Sequence, residues 1–167
     1  MGILTSLRHK PTTREFTATW PHGAGRPTWM AHEQHAKMYA GDTDLSVVGE
    51  SGFQENLWAL VGRTSERVHI ETMALLVPET DNPHDENAIA VWICGLQVGY
   101  LSEHAAHILH HDIVGAAELT GRAVAVAATI AGGGMRRDDL IGDLEVFLHL
   151  DTVKLEVVGT FGVSPAL

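Results

Sequence analysis

The sequence predicts a small barrel-like α+β domain, mainly β, of about six strands and two helices, with an irregular N-terminal arm in front of it. Three observations carry this. From residue 46 onward apolar residues recur with period two, as they do along half-buried strands. Two stretches in that region switch to helical spacing, and residues 1–44 hold turn-rich runs such as Pro21-His22-Gly23-Ala24-Gly25-Arg26-Pro27. A length of 167 residues fits one domain with accessory segments, and 45% hydrophobic residues suffice for a core.

In chain order, the arm occupies 1–44, the domain 45–151 and a C-terminal strand or tail 152–167. Within the arm, Met30–Tyr39 is expected as one short helix ended at Gly41, too short to stand alone. Trp20 and Trp29 are expected to dock the arm onto the domain, or else to meet a partner protein. Phe53–Val61 is the first helix of the domain, with Phe53, Leu57, Leu60 and Val61 on one side and Gly62 as C-cap. Arg67–Val77 is apolar on both faces in its second half, which places it centrally. Ile89–Cys94 and Leu96–Leu101 form a hairpin around Cys94-Gly95. Ser102 caps a second helix running to Ile113, with Glu103 in its first turn. Val124, Val126, Ala128 and Ile130 face one way along the next strand, and Leu144, Val146, Leu148 and Leu150 along the last.

Charge narrows the function. The chain holds 21 acidic and 11 basic residues, a formal −10, and residues 47–150 carry 15 of the acids against 5 arginines. A generic electrostatic coat for nucleic acid or an anionic membrane is thereby disfavoured. The single Cys94 rules out an intramolecular disulfide framework or a multi-thiolate zinc site. No apolar run is long enough to span a bilayer and the N-terminus lacks a signal-peptide core, so a cytoplasmic protein without membrane partners is expected.

The densest chemistry lies in Pro78-Glu79-Thr80-Asp81-Asn82-Pro83-His84-Asp85-Glu86-Asn87-Ala88-Ile89-Ala90-Val91. Asn82 is placed to bond the backbone ahead of it, Pro83 presets φ, Asp85 caps the turn, and the Asn87 amide ties the turn to the following strand. With Val47-Val48-Gly49 upstream and Gly99-Tyr100-Leu101 downstream, the segment resembles the HIRAN family, whose pattern runs V-x-G, N-P-x-D-x-N-A-I/V-x-V, then G-Y/H-L. The resemblance covers about residues 46–150.

This resemblance implies an OB-like six-stranded barrel with two helices, found both fused to DNA-remodelling helicases and alone. It further implies a non-enzymatic module for the 3′ end of single-stranded DNA in repair or processing, with no cofactor and with a helicase or another protein as a possible partner in trans. Aromatic rings hold the terminal bases, at about 1–3 kcal/mol per stacked base, and a turn carboxylate accepts a bond from the free 3′-hydroxyl while repelling a 3′-phosphate. By position, Asp85 falls on that carboxylate, Asn82 on a turn residue facing the strand, His84 where a Tyr is usual, Phe53 on the second aromatic after V-x-G, and Tyr100 in the exit block. An Arg, a second aromatic and a Lys of the helicase-associated domains are replaced by Ser51, Gly52 and Glu103. The alternative is an acidic protein-interaction or scaffold module that keeps the fold without binding DNA.

Other motifs point to bland roles. His104, His107 and His111 lie within about 60° on one helical face. That spacing suits a metal, but it equally suits a solvated face opposite Ala105, Ile108 and Leu109. His32-Glu33-Gln34-His35 is one residue short of the zincin spacing, and Gly132-Gly133-Gly134 lacks the Lys-Ser/Thr of a P-loop. Cys94 has no base beside it, and Trp58 and Trp92 are expected to pack.

Overall fold

Alternation along the strands decides what meets the core. In the computed structural model, which describes residues 17–20, 35–41, 43–79, 81–120, 123–150 and 156–165, the elements are β1 (Thr17–Trp20), β2 (His35–Ala40), β3 (Asp44–Ser46), α1 (Gln54–Val61), β4 (Arg67–Pro78), β5 (Ile89–Ile93), β6 (Leu96–Tyr100), α2 (Glu103–Thr120), β7 (Val124–Gly133), β8 (Leu144–His149) and β9 (Glu156–Pro165). Strands β3–β8 form the predicted six-stranded, mainly β, OB-like unit with two helices. Their antiparallel order is β3-β8-β7-β4-β5-β6.

The chain just after β3 closes this unit. The Val47 N–H donates to the Val146 carbonyl on β8 (3.0 Å), while Val48 exchanges both backbone bonds with Tyr100 on β6 (2.8 and 2.9 Å). One residue thus prolongs the pairing of β3 with β8, and the next joins that edge of the sheet to β6 at the other. Inside lie Ala74, Leu76, Ile89, Val91, Val98, Val124, Val126, Ile130, Leu144, Val146 and Leu148, joined by Leu57 and Trp58 of α1 and by Ala105, Ala106, Leu109 and Ile113 of α2. The expected inward faces of β7 and β8 are therefore the observed ones. On α1, Leu57 and Trp58 go deepest, and Leu60 and Val61 pack at the margin.

The second half of β4, which runs between β5 and β7, is buried on both faces, as its sequence predicts, with Ala74 and Leu76 in the main core. Met73, Leu75 and Val77 form a second cluster on its other face with Ala90, Ala123 and Ala125, against which Trp92 and Tyr100 pack. Thr129, a buried polar residue, meets His149 Nε2 at 2.7 Å, and His149 Nδ1 meets Asp44 at 2.8 Å. A polar seam therefore ties β7, β8 and β3 together.

Three further strands extend the sheet. β7 pairs with β4 along its length, but on its other side it pairs with β2 at Val124–Val126 and with β8 from Ala127 onward. β2 runs parallel to β7, β9 antiparallel to β2, and β1 parallel to β9. The helix expected over Met30–Tyr39 is thus corrected: His35–Ala40 is a strand, and 30–34 lie outside the described residues. A ten-residue helix has little intrinsic stability, whereas the open edge at the start of β7 offers backbone partners. Trp29 and the side chain of Trp20 also fall outside the described residues. α2 runs past the expected Ile113 to Thr120, carried by helix formers at Ala116, Ala117, Glu118 and Leu119.

Candidate functional site

The turn between β4 and β5 is built from its own side chains. Asn82 Oδ1 accepts the N–H groups of His84 (2.9 Å) and Asp85 (3.3 Å), and its amide donates to Glu79 (3.0 Å). Asp85 Oδ1 accepts the Asn87 N–H at 2.8 Å, and the Asp85 carbonyl accepts the Ala88 N–H at 3.0 Å. Asp85, and not the Asn87 amide, therefore ties the turn to β5. Asp85 Oδ2 takes no hydrogen bond from any described residue.

Immediately after β6 the chain enters α2. The Ser102 hydroxyl accepts the Ala105 N–H at 3.3 Å, so Ser102 is the N-cap the sequence predicts. The first two turns of α2 face the β4–β5 turn across an open cavity of about 330 Å³ lined by Asp85, Asn87, Glu103, His104 and His107. Two carboxylates, two imidazoles and an amide line it, with no Lys or Arg among them.

Aromatic side chains gather beside the barrel seam. Phe53 is the half-buried N-cap residue of α1, and its ring lies 6.2 Å from that of Tyr100, tilted by 60°. Two polar side chains fix α1 in this position. Gln54 exchanges two bonds with the Leu144 backbone (2.8 and 2.9 Å), as a neighbouring strand would, and Asn56 donates to the Gln97 carbonyl of β6 at 2.8 Å. The start of α1 is thus anchored to β8 and its middle to β6, with Phe53 held against Tyr100.

Of the residues singled out from sequence, Asp85 lines the cavity, Asn82 holds the turn from within, and Phe53 and Tyr100 form an aromatic pair. His84 is exposed on the turn and does not line the cavity. His104, His107 and His111 are all exposed, and among the described residues no three His, Cys, Asp or Glu side chains are grouped to hold a metal ion. His104 and His107 border the cavity instead. Their sequence signal was proximity: they follow the exit block by one helical turn, on the face that also carries Glu103. Gln54 and Asn56 gave no signal, because side-chain bonds to distant strands have no local pattern. Among the described residues no helix is long and apolar enough to cross a membrane.

Comparison with known proteins places this geometry. No curated protein matches the chain. The crystal structure of the HIRAN domain of human HLTF is similar at 19% identity, covering 69% of this chain and 78% of that one with a TM-score of 0.36. The family model of the HIRAN domain matches residues 51–126, from the turn before α1 into β7, and so includes the whole β4–β5 turn and the start of α2. The segment that builds the cavity and the aromatic pair is therefore similar to the HIRAN domain, a family known generally as DNA-binding modules.

Proposed function

We propose that this HIRAN-like domain captures the 3′ end of single-stranded DNA without chemical turnover, in repair or processing of DNA. The observation that carries the reading is the cavity between the β4–β5 turn and α2, in which Asp85 is held by its own turn with one carboxylate oxygen unengaged among the described residues. A carboxylate so placed accepts a hydrogen bond from a terminal hydroxyl and repels a terminal phosphate. Phe53 and Tyr100 offer rings on which bases stack without sequence preference, and His84 presents a further ring from the turn.

Fluorescence anisotropy at low salt tests this with short oligonucleotides ending in a 3′-hydroxyl or a 3′-phosphate. The 3′-hydroxyl strand is expected to bind more tightly. Asp85→Ala should erase the preference, and Phe53→Ala should weaken both strands by up to the worth of one stacked base, about 1–3 kcal/mol. Equal affinity for the two ends in the wild type overturns the reading. A second reading, an acidic protein-interaction module, is favoured by the absence of Lys and Arg among the described residues of the cavity lining. It predicts no binding of either strand, and protein partners that remain after nuclease treatment.

A further inference from the structure

This inference rests on the proposed 3′-end capture and concerns how an acidic cavity admits a phosphodiester. Glu103 and Asp85 contribute two negative charges to the lining, and no Lys or Arg among the described residues lines it to offset them. A DNA end brought to Asp85 carries its penultimate phosphate within a few ångströms of the same walls, so the terminal hydroxyl and the phosphate make opposite demands. The side chains on the lining able to become cationic are His104 and His107, both exposed on the cavity side of α2.

We infer that His104 and His107 are the phosphate-contacting residues of this site, and that DNA-end binding by this chain is therefore favoured by acid. When both imidazoles are neutral the lining has two formal negative charges, and when both are protonated it has none. Imidazole is the side chain whose ordinary charge change falls between pH 5 and 8, and in its protonated form it donates charge-assisted hydrogen bonds to phosphate oxygens. The other groups facing the two histidines are Asp85 from the turn and Glu103 from the helix's own first turn. His84 and Glu86, exposed on the same turn, lie outside the lining. His111 is a turn further along α2 and pairs at 3.6 Å with Asp112, away from the cavity.

The test is the affinity for a ten-residue thymidine oligonucleotide with a 3′-hydroxyl, at constant ionic strength, at pH 5.5, 6.5 and 7.5. Neither thymine nor a phosphodiester titrates there, so proton uptake belongs to the protein. Each imidazolium–phosphate contact is expected to contribute about threefold, the size of an exposed ion pair. Wild type should then bind about tenfold more tightly at pH 5.5 than at 7.5. The double variant His104→Gln/His107→Gln should lose most of the gain between pH 7.5 and 5.5, while His84→Gln and His111→Gln keep it. Binding that does not change with pH, or a gain that persists in the double variant, overturns the assignment and leaves 3′-end capture standing. No binding at any pH overturns both.

Discussion

Gly99 is the residue on which closure of the barrel depends. Its φ is +153°, and a Cβ placed there would lie 2.4 Å from Val47 Cγ1 and 2.6 Å from the Val48 carbonyl oxygen. Neither neighbour has room to yield. Val47 is 3% exposed, and the Val48 carbonyl accepts the Tyr100 N–H in the pair of bonds that joins the two edges. Gly99→Ala combines overpacking at about 1–3 kcal/mol with backbone strain of about 1–3 kcal/mol. A total loss of about 3 kcal/mol corresponds to a fall in Tm of about 6–12 °C for a chain of this size. Thermal unfolding followed by circular dichroism measures it. Gly115→Ala is the matched control, since Gly115 lies within α2 and a methyl group on its Cα would meet nothing within 4 Å. Alanine there should raise stability by about 0.5–1 kcal/mol. A fall of less than about 2 °C for Gly99→Ala would show that the seam yields easily and refute the close-approach argument.

Asn82→Ala removes the acceptor for the His84 and Asp85 N–H groups, at a cost of about 1 kcal/mol in stability. Because the same bonds present Asp85, it should also lower affinity for 3′-hydroxyl DNA; unchanged melting and binding together would mean the turn holds itself without Asn82. Cys94 is exposed at the β5–β6 turn, yet desolvation by its surroundings pushes its thiol upward. A raised pKa leaves less thiolate at a given pH, so iodoacetamide should modify native protein at pH 7.5 more slowly than it modifies free cysteine, with the rate still climbing above pH 9. Modification as fast as that of free cysteine would contradict it.

Period-two alternation revealed β8 because one of its faces meets the core and the other is more open, and β7 because Val124, Val126 and Ile130 alternate with the smaller Ala125, Ala127 and Thr129. The β5–β6 hairpin was legible for a different reason: Cys94 and Gly95 both take positive φ, at 46° and 79°, and the glycine announces such a turn. β2 was not legible. Its partners are the first three residues of β7 and the distant β9, and a strand that exists through pairing across more than eighty residues leaves little trace in local propensity. At the site, the turn chemistry of Asn82 and Asp85 is local and could be read directly. That α2 would stand across from it, making Glu103, His104 and His107 walls of one cavity, depends on the barrel closing.

The charge of the site also sets how its binding should respond to salt. Nucleic-acid affinity that comes from neutralised phosphates falls with log salt, with a slope of about −0.7 per phosphate for single strands. Where both imidazoles are neutral the described lining has no cation, so stacking and one hydroxyl bond must carry the affinity and the slope should lie between zero and about −0.7. At pH 5.5 two imidazolium contacts would make it steeper by about −1.4. The two slopes separate sources of affinity that a single dissociation constant merges. A slope of about −2 at pH 7.5 would locate phosphate neutralisation elsewhere on the chain, with Arg136 and Arg137 of the exposed β7–β8 loop the first residues to replace. In that event the cavity recognises the end of the strand while the loop holds its backbone, and His104→Gln/His107→Gln would leave the slope at pH 7.5 unchanged.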